Sequence, residues 1–507
     1  MMDDQQAVIA FLSEPSSYGP GVERVEIIET HVSLVFLAGD RAYKLKRAVK
    51  YPYLDFSTAE YRRQACEAEL VLNRRTAPTL YLEVRALIRM PDGKIGFAAN
   101  GRAIDWLVVM RRFEQSSLFD ALAQAGGLSA SLMNELAGHI ADFHALAEQR
   151  FDFDGAMALT DTIETNHCCL MASQGAGFAL GCMDEIRERS LQRLAASASC
   201  LTEGALQERY GIAMGICISA TSAFSTACRP CSIVSNSRTR SPPIDLLYDL
   251  AFLLMDLDHR GLTDFSNLVL NRYLDLTDGD AGLPAMSLFL SLRAAIRAHV
   301  TATAMGRAVH AERKPDMAAE ARRYLDLAVR LLCPRPCRLV AIGGLSGSGK
   351  STLAAALAPE IGARVLRSDV IRKRLFGVAS ETRLPASAYA PGVSQRVYGA
   401  LRDKAATALA AEYSVIIDAV SLKPEERRSF AAFAEAAGVP FTGLWLAAPA
   451  STMDARLRAR GPRRLRCITC SPRATGPAGC RADQLGNSRC RHWTGSLAAA
   501  RSALALG

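Results

Sequence analysis

The chain has 507 residues, half of them hydrophobic, which leaves room for about three well-packed domains. No apolar stretch approaches the roughly 20 residues that a membrane span needs, since Leu246 to Leu257 is broken by Asp249 and Asp256, and Met1 to Gln6 is acidic, unlike a signal peptide. The formal charge of +9 is local: residues 455–507 hold 11 Arg against one acid, Asp483, and Arg209 to Ile244 hold four Arg and no acid, so the remaining body is mildly acidic with 45 basic and 50 acidic side chains.

That balance argues against a nucleic-acid binder and fits a cytoplasmic enzyme. The Arg-rich tail has no recognisable nucleic-acid fold and no aromatic residue interleaved with its basic ones beyond Trp493. Cysteine clusters in the same places, with seven of the 14 between Cys168 and Cys231 and four more between Cys467 and Cys490. An exported disulfide scaffold would spread them. Cys228-x-x-Cys231 lacks the second close pair of a zinc ribbon, as does Cys467-x-x-Cys470 with Cys480, Cys490 and His492.

Residues 1–330 read as one α+β block. Val32 to Leu37, the turn Ala38-Gly39-Asp40, and Arg41 to Lys46 form a hairpin that puts Lys44 and Lys46 on one face, because strand side chains alternate. A helix follows from Thr58 to Arg74, carrying Glu67 and Glu69, and then strands at Leu80 to Ile88 and Ile104 to Met110. That order is the order of a kinase-type small lobe. His139 and His144 are five apart on a helix and do not share a face well, which marks them as packing or surface histidines rather than metal ligands. Leu250 to Leu257 reads as a core helix.

Residues 331–337, around Arg335-Pro336-Cys337, read as a linker. Residues 338–462 then alternate strand and helix, the pattern of a parallel sheet wrapped by helices. Here lies the strongest signal in the chain: the apolar run Leu339 to Ile342 feeds Gly344-Leu-Ser346-Gly347-Ser348-Gly349-Lys350-Ser351-Thr352 and an Ala-rich helix. This is a phosphate-binding loop for a nucleoside triphosphate, ATP with Mg²⁺. Its backbone N–H groups and the following helix N-terminus face phosphate oxygens, Lys350 adds a point charge, and Ser351 ligates the metal.

Downstream, Ala363 to Leu366 is a strand ending at Ser368-Asp369, with Arg372, Lys373 and Arg374 on the next helix. Asp369 is placed to accept a proton from a substrate hydroxyl while Arg372 steadies an anionic group, although Ser-Asp before a helix is also an ordinary N-cap. Ser414-Val-Ile-Ile-Asp418 is an apolar run ending in a carboxylate, the form of a strand whose Asp serves the Mg²⁺ shell, or else a strand-terminal turn. Arg456 and Arg460, four apart on a helix, suit a lid that neutralises phosphate charge; a solvated basic face is the alternative.

The segments ETHVSLVFLAGDRAYKLKRAV, CEAELVLNRRTAPTLYLEV, WLVVMRRF and IDLLYDLAFLLMDLDHRGL resemble a bacterial family that fuses an aminoglycoside-phosphotransferase-like domain to a P-loop kinase domain of AAA or zeta-toxin type. The resemblance covers nearly the whole chain. It implies a two-lobe kinase-like domain followed by an α/β P-loop domain, with Lys46 on the α/β-phosphates and Glu69 holding it, and Lys44 with Glu67 as the alternative pair.

The pattern fails in one place. Such a kinase-like domain needs a catalytic loop of the form H-G-D-x-x-x-x-N with a further Asp for Mg²⁺, and the chain instead reads Met214-Gly-Ile-Cys-Ile-Ser-Ala-Thr221 in a stretch, about 205–244, without carboxylates. Allowed codons for Met214 to Ser237, read one base earlier, encode HGDLHLSNICLFDGLPTLFDCIEF; codons for Arg463 to Cys467, read one base later, encode DASDA. A frameshift explains both anomalous stretches. The first domain is therefore expected to be inactive as written, and residues 463–507 to be a disordered Arg- and Cys-rich tail whose removal past Gly461 leaves ATP binding intact. The expected protein is an ATP-dependent phosphotransferase acting on a hydroxyl of a small molecule; the alternative is a nucleotide-binding regulator that transfers no phosphate. Neither the acceptor nor the oligomeric state is legible.

Overall fold

The computed structural model describes residues 5–198, 244–379, 382–459, 490–493 and 497–504, apart from 31, 53, 98–100, 148–153, 308–311 and 313, together with the pairs 210–211, 222–223 and 231–232. The anomalous stretch 205–244 therefore lies almost wholly outside the described residues, as do Arg460, Cys228, Cys467, Cys470 and Cys480. The chain divides into two compact units. The first takes in Met1–Leu262 and Ala285–Leu332, the second Thr263–Pro284 and Cys333–Gly507.

The first unit opens with helix α1 (Gln6–Ser13) and a six-stranded antiparallel sheet made from β1 (Val25–Glu29), β2 (Ser33–Ala38), β3 (Arg41–Lys46), β6 (Tyr81–Arg89), β7 (Ile95–Gly96) and β8 (Arg102–Arg111), in the order β1-β2-β3-β8-β6-β7. Two-residue strands β4 (Lys50–Tyr51) and β5 (Leu54–Asp55) pair with each other. The expected hairpin is β2–β3, registered Ser33 to Lys46 and Ala38 to Arg41, and Gly39 takes φ 59° in its turn. Helix α2 (Ala59–Arg74) is capped by the Thr58 hydroxyl, which accepts from the Tyr61 amide. Apolar residues of both sheet faces are buried, Phe36, Leu45, Leu107 and Val109 on one and Leu37, Ala42, Val108 and Met110 on the other.

Among the described residues the rest of this unit is mainly helical, with α3 (Phe119–Gln124), α4 (Ala130–Ala145), α5 (Gly155–Ala172), α6 (Leu180–Ala196) and α7 (Leu246–His259), beside two-residue strand pairs of 210–211 with 244–245 and of 222–223 with 231–232. Helix α7 is buried from Leu247 to Leu257 apart from half-buried Phe252, Asp249 and Asp256 included, so the apolar run is a core helix. His144 is a packing residue whose Nε2 lies 3.1 Å from Asp249, both buried. After α8 (Thr263–Thr277), the chain continues through α9 (Leu283–Arg307) and α10 (Lys314–Leu332).

The second unit is a five-stranded parallel sheet flanked by helices. Its strands are β9 (Leu339–Gly344), β10 (Ala363–Arg367), β11 (Ser414–Asp418), β12 (Phe441–Leu446) and β13 (Cys490–Trp493), in the order β10-β11-β9-β12-β13. Helices α11 (Lys350–Leu357), α12 (Ser368–Leu375), α13 (Pro391–Ala410), α14 (Pro424–Ala436), α15 (Ala450–Ala459) and α16 (Leu497–Ala503) complete it. Strand β11 is buried at every position, which is why it reads as an unbroken apolar run rather than an alternating one.

Two expectations need correction. The first domain does not run unbroken to residue 330, because Thr263–Pro284 belongs to the second unit. The tail is not structureless at 490–493 and 497–504: β13 pairs with β12, and Ala500 and Leu504 are buried in one cluster with Val340, Leu353, Leu357 and Ile416. An apolar helix face supplied by Leu497, Ala500, Ala503 and Leu504 outweighs the basic composition of the surrounding sequence. Among the described residues no helix is long and apolar enough to cross a membrane.

Candidate functional site

Parallel pairing sets the strand ends side by side. Asp418 ends β11 opposite Ile342 on β9 and Arg367 on β10, so the loops leaving β9, β10 and β11 emerge at one edge of the sheet. Ligands of open α/β sheets bind at that edge. The loop after β9 turns through positive φ at Gly344 (135°), Gly347 (87°) and Gly349 (101°). A Cβ on Gly347 would lie 2.8 Å from the Met453 carbonyl oxygen, so only glycine keeps both the turn and the close approach of α15.

Lys350, buried at the start of α11, donates from Nζ to the Leu345 carbonyl at 2.8 Å, spanning the loop. The Ser351 hydroxyl donates to Asp418 Oδ2 at 2.5 Å. Residues 67 positions apart are thereby joined, one opening α11 and the other closing β11. The Ser348 hydroxyl is buried without a hydrogen-bond partner, an open donor and acceptor inside the loop. Ser346 is half-buried and Thr352 exposed, with the Thr352 amide on the Gly349 carbonyl. These residues fit a triphosphate and Mg²⁺: amides and an ammonium for the phosphates, and a hydroxyl and a carboxylate, both hard oxygen donors, for the metal.

Asp369 lies in the first turn of α12 rather than at its N-cap, which is Arg367, and it pairs with Lys373 at 3.3 Å. Arg372 is buried, donates to the Ala388 carbonyl at 2.6 Å and to Ser394 Oγ at 3.4 Å, and lies over the Tyr389 ring. Arg456 donates to the Gly347 carbonyl at 3.3 Å, so a residue of α15 meets the phosphate loop; Arg460 lies outside the described residues.

Sequence reasoning missed a polar cluster just beyond β11. Ser421 is buried at φ 46°, its amide donates to the Tyr398 hydroxyl, and its carbonyl accepts from Arg427, which stacks on Trp445. Tyr398 in turn bonds Glu426, and burial raises its phenol above the ordinary range. A left-handed serine held at both backbone groups has no local sequence signature.

In the first unit Glu69 accepts from Lys46 Nζ at 2.6 Å and from Lys44 Nζ at 2.9 Å, all three buried. The pairing expected of Lys46 and Glu69 is present. The alternative pair is not: Glu67 is on the exposed side of α2 with Arg63, and Lys44 shares Glu69 because i and i+2 on β3 point the same way. Burial would raise the Glu69 carboxyl, but the two ammonium groups hold it below its ordinary value. Burial lowers Lys44, whereas Lys46, against its burial, is held above its ordinary value by Glu69. Beside them Arg62 grips Asp105 through two hydrogen bonds, and Gln5 bridges Asp105 to the Lys46 carbonyl. Among the described residues no group of three or more His, Cys, Asp or Glu is placed to hold a metal ion.

Parallel sheet, glycine loop and the Ser351–Asp418 bond define the second unit as a P-loop domain of an α/β protein. Residues 339–468 match the AAA domain family model. Over 410 residues, 80% of each chain, the sequence is 29% identical to uncharacterised proteins of Mycobacterium bovis and Mycobacterium tuberculosis. Similar solved structures include a gluconokinase from Sinorhizobium meliloti 1021, 22% identical over 34% of this chain and 91% of that one with a TM-score of 0.23. A choline kinase from Cryptosporidium parvum Iowa II is 10% identical over 64% and 94%, with a TM-score of 0.40.

Proposed function

We propose that the chain is an ATP- and Mg²⁺-dependent phosphotransferase whose P-loop unit acts on a hydroxyl of a small molecule. The observation that carries this reading is the Ser351–Asp418 bond of 2.5 Å beside Lys350, at the carboxyl ends of parallel strands. Ser351 and Asp418 would hold Mg²⁺, which would supply neutralisation of the phosphate charge. Lys350 and the loop amides from Gly344 to Ser351 bind the phosphates. Asp369 takes the proton of the attacking hydroxyl, Arg372 fixes the acceptor's helix against the 388–394 segment, and Arg456, which meets the phosphate loop, neutralises the transferred charge; the sequence spacing assigns Arg460 the same role. Positioning and preorganised charge supply the rate, since phosphoryl transfer asks little covalent chemistry of the protein.

In the first unit, Lys46 and Lys44 with Glu69 are read as the remnant of a second nucleotide site, silenced by the frameshifted stretch 205–244; resequencing the locus across those codons checks this. The phosphotransferase reading is tested with purified full-length protein, ATP, Mg²⁺ and a panel of polyols. Acceptor-stimulated ADP release that is abolished in Lys350→Ala is the expected result. Normal ATP binding and turnover by Lys350→Ala would overturn it, and tight ATP binding with no acceptor-stimulated turnover would favour a regulator instead.

A further inference from the structure

Helix α12 carries Asp369 and Arg372, and its placement is set by a segment remote in sequence. Thr263–Pro284 lies within the second unit, although Ala285–Leu332, which separates it from the rest of that unit, belongs to the first. It grips the edge strand β10 through side chains. The Val365 amide donates to Asn271 Oδ1 at 2.7 Å, while Asn271 and Asn267 both donate to the Ala363 carbonyl, at 2.9 and 3.0 Å. The free edge of the sheet is thus capped by amide side chains rather than by another strand.

An ion network extends this grip to α12. Buried Arg364 spans Asp280 (2.6 Å) and Asp275 (2.8 Å). Burial would raise the Asp280 carboxyl, but Arg364 and Lys404 hold it below its ordinary value. Arg367, the residue entering α12, reaches Asp275 at 2.5 Å. Arg374, in its last turn, reaches Asp278 at 2.7 Å and the Leu276 carbonyl at 2.8 Å. Lys404 on α13 closes the network on Asp278 and Asp280. Arg367 and Arg374 are about two turns apart on one side of α12, and a period of about 3.6 residues puts Asp369 and Arg372 on the other.

We infer that Thr263–Pro284 is a positioning element for the acceptor-binding helix of the P-loop unit: it holds α12 from the side opposite Asp369, fixing that carboxylate relative to the phosphate loop. The inference rests on the phosphotransferase reading for its functional consequence, but its structural claim is testable without it. In the full-length protein, Arg374→Gln and Asp278→Asn remove the outermost bonds and leave buried Arg364 with Asp275 and Asp280. Hydrogen exchange of amides 369–376 is expected to rise about tenfold in each variant and less than additively in the double variant, since both lose the Arg374–Asp278 bond while Arg374→Gln also loses the Leu276 carbonyl and Asp278→Asn weakens the hold of Lys404; amides 350–357 and the dissociation constant for ATP stay within about twofold. For any polyol that turns over, the KM of the polyol rises and the KM of ATP does not, and Arg374→Lys restores part of the loss. Unchanged exchange at 369–376 overturns the inference, as does equal loss of protection at 350–357, which would make the network mere general scaffolding. Wild-type protein that releases no ADP with any polyol sinks the phosphotransferase reading instead, and the exchange result still decides the positioning claim.

Discussion

Glu69→Gln is the most informative single change in the first unit. Among the described residues Glu69 carries the one carboxylate that the two buried ammonium groups of Lys44 and Lys46 share, at 2.9 and 2.6 Å. Each charge-assisted hydrogen bond contributes about 1.5–3 kcal/mol, and removing one partner of a buried ionic cluster costs about 3–5 kcal/mol, because the charges left behind have lost water without gaining a partner. The neutral amide avoids its own desolvation cost, which keeps the expected loss at neutral pH near 3 kcal/mol rather than near 6. Pulse proteolysis in urea, following fragments from residues 33–111, measures it. The sign of the pH dependence gives a second, sharper test. Burial works to lower both lysines and Glu69 to raise them, so its removal is expected to leave both below the ordinary 10.5 in the folded state; the folded state then binds fewer protons than the unfolded chain, and the deficit shrinks as pH rises toward 10.5. A deficit under about 1 kcal/mol at neutral pH, or one of equal size at alkaline pH, would refute the assignment of Glu69 as the charge that keeps this pocket folded.

Four further outcomes are expected. Leu504→Ala should destabilise the P-loop unit by about 2–5 kcal/mol, and truncation after Gly461 should abolish its cooperative unfolding and weaken ATP binding, because β13 and α16 complete the sheet and the core under α11; thermal melts with and without ATP check both. Ser351→Ala and Asp418→Asn should each weaken Mg²⁺-dependent ATP binding by about tenfold or more and combine less than additively, as joined residues do; calorimetry with and without Mg²⁺ would show fully additive losses if the two act apart. Glu320, held at about 2 by its bond to His259, gives the first unit stability that is present above the ordinary 4.5 and lost as pH falls toward 2, so Glu320→Gln should lower stability at neutral pH, leave it little changed near pH 2, and flatten the acid limb of a plot of urea midpoint against pH; an equal loss at both pH values would contradict this.

Much of the site was legible because it is local in sequence. A glycine loop between an apolar run and a helix needs only neighbouring residues to specify it, and Asp418 was found because a fully buried strand reads as an apolar run whose polar end stands out. Strand alternation places Lys44 and Lys46 on one face alike, and it is the family resemblance that singles out Lys46 with Glu69; the packing of α2 against β8 and β6 decides that one carboxylate, Glu69, serves both and that Glu67 faces water.

Residues joined across long sequence separations carried no such mark. The Ser351–Asp418 bond was implied by type and is realised by parallel register; the bracing of α12 by Asp275 and Asp278, the capping of β10 by Asn271, and the left-handed Ser421 between Tyr398 and Arg427 were not implied at all. Composition likewise misjudged the last residues, where a short apolar face mattered more than the surrounding arginines. Sequence alone determined which chemical groups this protein owns and their local geometry, since a loop or strand is specified by contiguous backbone preferences. Which groups meet was left to the tertiary structure, because burial and charge pairing act between elements whose separation along the chain says nothing of their distance in space.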